Sequence, residues 1–145
     1  MEARHLDPIL GRVRAASSLR RKLLSIFYIA SPYSHPDPVV QEDRYSEAMR
    51  FVAWHLASQG PLPAPFSPIV YCHEMVKRFD LPKDFLFWRT LNRANLLVSA
   101  HMVVLRLPGW DESKGVLDEL QFAQMHRIPH YYADPVDDGY SVRLL

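Results

Sequence analysis

Short apolar runs alternate with longer stretches of helical period along this chain, and that alternation restricts its fold more than any other feature. The run SIFYIA, Ser25 to Ala30, is rich in β-formers and is stopped by SPYSHPDP, whose three prolines can continue neither strand nor helix. A short proline-bounded strand is expected near Leu62 to Phe66. MVVLRL, Met102 to Leu107, is the strongest strand signal, and IPHYYA, Ile128 to Ala133, is the last clear one. Between them, Tyr45, Met49, Val52, Ala53 and Leu56 repeat at helical spacing within a helix expected from Val39 to Gln59, with Gly60 as its stop. VYCHEMVKRF and DFLFWRTLNRANLLV read as two more helices, and SKGVLDEL belongs to another. Parallel strands need helical crossovers, so this order predicts an α/β fold. The expected form is a three-layer, Rossmann- or flavodoxin-like parallel sheet of about five strands with helices on both faces.

A chain of 145 residues, 48% of them hydrophobic, has room for one core. The domain is expected over residues 25–145, preceded by a basic helical extension over residues 1–24. Within that extension RVRAASSLRRKLL is open to reading as a targeting or nucleic-acid-binding arm, and is read here as a solvated amphipathic segment. From Ile26 onward eleven basic residues face fourteen acidic ones, which argues against a nucleic-acid partner. The single cysteine, Cys72, rules out an internal disulfide and fits a reducing, cytoplasmic setting. No apolar run approaches the roughly 20 residues of a membrane span, and no signal-peptide block follows the basic N-terminus, so no membrane partner is expected.

In parallel α/β folds ligands bind beyond the carboxyl ends of the strands. That rule gathers three loops, SPYSHPD, SPIVYCH and PGWDESKG. They contain no dinucleotide fingerprint, no phosphate-binding P-loop and no HExxH, and no cofactor is expected. The third loop runs into a helix whose first amides belong to Lys114, Gly115 and Val116. There Ser113 either caps the helix or donates to an anion, and Gly115 lets a ligand approach the backbone. Ser31 and Ser34 offer further donors from the first loop or satisfy its turn. At about 100° per residue Val116, Leu117, Leu120 and Ala123 share one side of this helix and Asp118 takes the other. Glu119 falls at the edge of the apolar stripe, where a carboxylate marks either a site or a boundary.

His35 and His73 are expected in loops facing the site, whereas His101 and His130 lie beside strands and read as structural. No histidine pair gains a third ligand, so no metal is expected. Trp88 and Trp110 are candidates to stack on a planar ligand, with Trp110 equally suited to locking its loop against the core.

Taken in order, YIASPYS, FSPI, VVLRLPGW and SKGVLDEL resemble the nucleoside 2-deoxyribosyltransferase superfamily over about Phe27 to Pro135. The closest likeness is to a bacterial and phage branch with the pattern YIASPYS, SPI, LPGW and SxGVxxE, and the chain is similar to 2′-deoxynucleoside 5′-phosphate N-hydrolases. The resemblance implies attack by a glutamate on the anomeric carbon of a deoxyribose as the base departs. Glu119 matches the nucleophile, Tyr28 a tyrosine that supports it or contacts the sugar, and His73 a recurring histidine of this branch. Tyr28 is also readable as a core strand aromatic. Ser113 matches the position where transferases acting on nucleosides carry aspartate and monophosphate hydrolases carry serine. A hydroxyl beside a helix N-terminus can donate to a phosphate that a carboxylate would repel. The family's acid before the third strand is replaced here by Asn92, which can hydrogen-bond but cannot deliver a proton at neutral pH. Asp84, two turns upstream, reads as a helix-start residue.

The expected function is N-glycosidic bond cleavage or transfer on 2′-deoxynucleotides. Its alternative is a nucleotide-binding sensor or inhibitor that has lost turnover. The expected ligand is a deoxynucleotide or nucleoside. A homo-oligomer is expected both from the resemblance and from the apolar surface of DFLFWRTLNRANLLV.

Overall fold

A computed structural model describes residues 24–144; the basic extension expected over residues 1–24 lies, but for Leu24, outside the described residues. Five strands, β1 (Ile26–Ala30), β2 (Ala64–Phe66), β3 (His101–Leu105), β4 (His130–Val136) and β5 (Gly139–Arg143), form one sheet in the order β2-β1-β3-β4-β5. The first four are parallel, and β5 runs antiparallel to β4 along the edge. Four helices connect them: α1 (Pro38–Gln59), α2 (Pro68–Phe79), α3 (Phe85–Val98) and α4 (Lys114–Met125). No helix among the described residues is long and apolar enough to cross a membrane.

Each helix starts at a side chain that accepts one of its otherwise unpaired first amides. Asp37 takes Val39 N, Ser67 takes Val70 N, Asp84 takes Phe87 N and Ser113 takes Val116 N. Pro38 and Pro68 follow two of these caps, where a missing N–H costs nothing. Asp84 is thus the helix-start residue that its position suggested.

Strand alternation divides the core between the two faces of the sheet. Phe27, Ile29, Val103 and Leu105 pack with Phe51 of α1 on one face. Tyr28, Ala30, Met102 and Val104 pack with Leu96 of α3 and with Val116, Leu120 and Ala123 of α4 on the other. The expected three-layer α/β architecture is therefore present.

Three local expectations are corrected. The buried face of α1 is Ala48, Phe51 and His55, while Met49, Ala53 and Leu56 are exposed. The stripe is rotated because Phe51 and Trp54 pack on Tyr140 of β5, with ring centroids 4.8 and 5.3 Å away, and β5 was not among the clear strands of the sequence. On α4, Leu117 is likewise exposed rather than buried with Val116 and Leu120. The second expected loop shrinks to Ser67, because α2 begins at Pro68.

Candidate active site

The chain reverses direction across the sheet at β1, with β2 on one side and β3 on the other. Open α/β sheets bind ligands at such a switch point, beyond the carboxyl ends of the strands. A cavity of about 870 Å³ is lined there by residues of the β1–α1 and β3–α4 loops together with parts of all four helices. That volume is in the range of small-molecule pockets.

Glu119 lines this cavity from the second turn of α4, yet only 7% of it is exposed. The Tyr28 hydroxyl donates to its Oε1 at 2.6 Å and Asn92 Nδ2 donates to the same oxygen at 3.2 Å. Two donors on Oε1 leave Oε2 as the oxygen free to meet a ligand. Burial pushes the Glu119 carboxyl up to about 8; the Tyr28 hydrogen bond opposes that rise, nearby Asp118 adds to it, and the Asn92 bond opposes it. Burial, and then the charge of Glu119, hold the Tyr28 phenol well above its ordinary value, so the shared proton stays on the tyrosine. Tyr28 is therefore both a fully buried core residue and the partner of Glu119.

Asn92 reaches Glu119 because α3 is clamped to α4 one residue away. Arg89 and Arg93 lie one turn apart on α3 and both pair with Asp118, at 3.0 and 2.8 Å. Asp118 thus faces α3 rather than open water. Asn92 Oδ1 and Ser31 Oγ, both of residues lining the cavity, are buried without a hydrogen-bond partner among the described residues. Unpaired buried polar atoms are costly, and a polar ligand would satisfy them.

The other expected site residues divide. Ser113 and Gly115 line the cavity. Ser113 Oγ accepts the Val116 amide at 3.4 Å, and this leaves its own hydroxyl hydrogen free to donate. Val116 does not line the cavity: its side chain is in the core and its amide is taken by the cap. Trp110 is also outside the wall, packed edge-on against Tyr132 at 5.8 Å beneath the loop, which fulfils the locking role. Trp88 lines the cavity with its indole N–H held by Pro82 O at 2.7 Å. Ser34 also lines it, and its hydroxyl spans to Lys83 O at 3.4 Å. His73 is not in a loop but buried on α2 behind Tyr33, since the helix starts at Pro68.

Arg44 and Tyr33 are wall residues that the sequence reading missed. Arg44 donates to Ser34 O at 2.8 Å and Pro108 O at 3.1 Å, tying the two loops together. Gly109 has φ +86°, a conformation that L side chains rarely adopt, and a Cβ there would lie 2.8 Å from Arg44 Nη2 and push that side chain aside. No sequence signal marked Arg44, because the face that α1 buries, Ala48, Phe51 and His55, is not the one its periodicity suggested.

Among the described residues no group of three or more His, Cys, Asp or Glu is placed to hold a metal ion. The fold and cavity define an α/β protein whose cavity, walled by both polar and apolar side chains, holds one buried carboxylate. The family profile described as a domain of unknown function, DUF1937, matches residues 25–132, and the chain belongs to that family. A comparison with curated proteins found no match.

Proposed function

We propose that this protein cleaves or transfers the N-glycosidic bond of 2′-deoxynucleotides, with Glu119 as nucleophile. The observation that carries the reading is a buried carboxylate on the wall of a cavity of small-molecule size, with one oxygen held by Tyr28 and Asn92 and the other free. In the ionised state Oε2 attacks the anomeric carbon, the bond to the base breaks, and its electron pair leaves with the base. The resulting glycosyl ester is opened by water in a hydrolase or by a second base in a transferase. The four sequence motifs that resemble the nucleoside 2-deoxyribosyltransferase superfamily support the same assignment.

A 5′-phosphate is the group suited to the start of α4. The Ser113 hydroxyl and the amides of Lys114 and Gly115 offer donors there, aided by the helix dipole. The exposed ammonium groups of Lys83 and Lys114, on residues of the same wall, make no ion pair among the described residues.

Nucleotide binding without turnover is the second reading. It is favoured by Asn92, which cannot act as an acid, and by burial that keeps Glu119 protonated up to about pH 8. Incubation with a panel of deoxynucleoside 5′-monophosphates, followed by chromatography for free base, separates the two. Base release that disappears in Glu119→Gln supports the enzyme; binding without release from any substrate supports the binder.

A further inference from the structure

Behind Tyr33 a chain of hydrogen bonds leads from the cavity wall to the surface. The Tyr33 hydroxyl lies 2.8 Å from His73 Nδ1, and His73 Nε2 lies 3.1 Å from Glu42 Oε2. Gln41 Nε2 donates to the Tyr33 oxygen at 3.3 Å, and Lys77 reaches Glu42 Oε2 at 3.5 Å. The His73 side chain is 1% exposed, while that of Glu42 is 50% exposed. Tyr45 stacks on the imidazole with ring centroids 3.8 Å apart and holds it in plane between its partners. One buried imidazole therefore joins solvent to the cavity.

The donor and acceptor inventory gives this chain two states. An ionised Glu42 only accepts, so His73 Nε2 carries a hydrogen. When Nδ1 is bare, Tyr33 donates to it and its hydroxyl points away from a ligand. When Nδ1 is protonated, the Tyr33 oxygen accepts from His73 and Gln41, and its own O–H is released to donate elsewhere. Burial raises the Tyr33 phenol above its ordinary value, so it keeps its hydrogen at neutral pH until the proton of His73 Nδ1 can replace it.

A base leaving an N-glycosidic bond needs a proton, and three polar groups of the wall are not free to give one. Asn92 has none to give at neutral pH, Asp84 holds the Phe87 amide, and Glu119 is committed to the sugar. Resting on the glycosidase reading above, we infer that Tyr33 is the general acid for the departing base, with His73 and Glu42 as positioning residues that reload it. As the bond from the anomeric carbon to nitrogen breaks, the base nitrogen takes the Tyr33 hydroxyl proton. The Tyr33 oxygen takes the Nδ1 proton of the imidazolium, leaving neutral His73 with its Nε2 hydrogen on Glu42. In hydrolysis the water that opens the glycosyl ester leaves its hydroxyl on the sugar, and its proton returns to His73 through Tyr33. No further reactant is needed.

The test compares two substrates built on the same 2-deoxyribose 5′-phosphate, one carrying a natural base and one a 4-nitrophenyl group that departs as a stable anion. Tyr33→Phe should lower the single-turnover rate of base release from the nucleotide by about 10²–10⁴, and leave single-turnover release of 4-nitrophenolate near wild type. Glu42→Gln, a change at a half-exposed position, should give a smaller loss with the same dependence on leaving group. Equal slowing of both substrates by Tyr33→Phe, or of neither, overturns the relay. Wild-type turnover that Glu119→Gln abolishes upholds the glycosidase reading whichever way Tyr33→Phe behaves. A wild type that turns over neither substrate removes both.

Discussion

The hydroxyl of Tyr28 stands 2.6 Å from Oε1 of Glu119, although 91 residues separate them in the chain. Their meeting joins the inner strand β1 to helix α4, and it gives a carboxylate with little access to water its main stabilising donor. Tyr28→Phe removes that donor and leaves Asn92 alone on Oε1. The carboxyl should then titrate above its wild-type value of about 8, because the Tyr28 bond opposes the effect of burial. A pH–rate profile of base release should show its rising limb displaced to higher pH.

In the wild type the nucleophile must be ionised to attack. Base release should therefore rise with pH from 6 towards about 8, where Glu119 loses its proton. Glu119→Gln should retain ligand binding in calorimetry yet release no base at any pH.

The same titration predicts an effect on stability whose direction is unusual for a carboxylate. The unfolded chain has the ordinary value of 4.5, and the folded one about 8, so between these limits the folded state binds more protons. The contribution of neutral Glu119 is fully present below about pH 4.5 and is lost as pH rises to about 8. Within that window the wild type should lose stability relative to Glu119→Gln with a slope of up to about 1.4 kcal/mol per pH unit. Denaturant melts of the two proteins at several pH values measure it.

Asn92→Asp places a second carboxyl beside Glu119, at a site where the amide nitrogen now stands 3.2 Å from Oε1. Two acids this close hold on to a shared proton. The alkaline displacement of the pH–rate profile should exceed that of Tyr28→Phe, and base release at pH 7 should fall.

At the start of α4, Ser113→Asp keeps the cap but sets a carboxylate against the proposed phosphate. Monophosphates should bind more weakly by roughly 1–3 kcal/mol, and the matching nucleosides should be little affected. Equal losses for nucleotide and nucleoside in calorimetry would leave position 113 a cap alone.

Helix α3 exposes Leu86, Phe87, Leu97 and Val98. Assembly through this apolar face would cover it, and light scattering should return at least twice the chain mass of 16.8 kDa. A value near the single-chain mass at micromolar concentration would exclude the assembly.

Much of this fold is decided by local rules. The β-rich runs, the prolines and the Asp or Ser residues before each helix act within a few residues of themselves, so strands β1 to β4 and all four helices were legible in the sequence. The α4 periodicity also marked Glu119 as out of place on its stripe. β5 was not singled out, although VDDGY carries a turn signal, since one short polar edge strand has little apolar pattern. Other features depend on groups distant in sequence and therefore required the tertiary structure. The face that α1 buries depends on Tyr140, and whether His73 meets solvent or a tyrosine depends on how α2 packs on α1. The character of Glu119 is set in the same way: the sequence places a glutamate at the edge of a helix, but only the approach of β1 and α3 removes its water and supplies the donors of Tyr28 and Asn92. Burial is a property of the whole packed chain, and burial is what raises that carboxyl from an ordinary acid to one that titrates near pH 8.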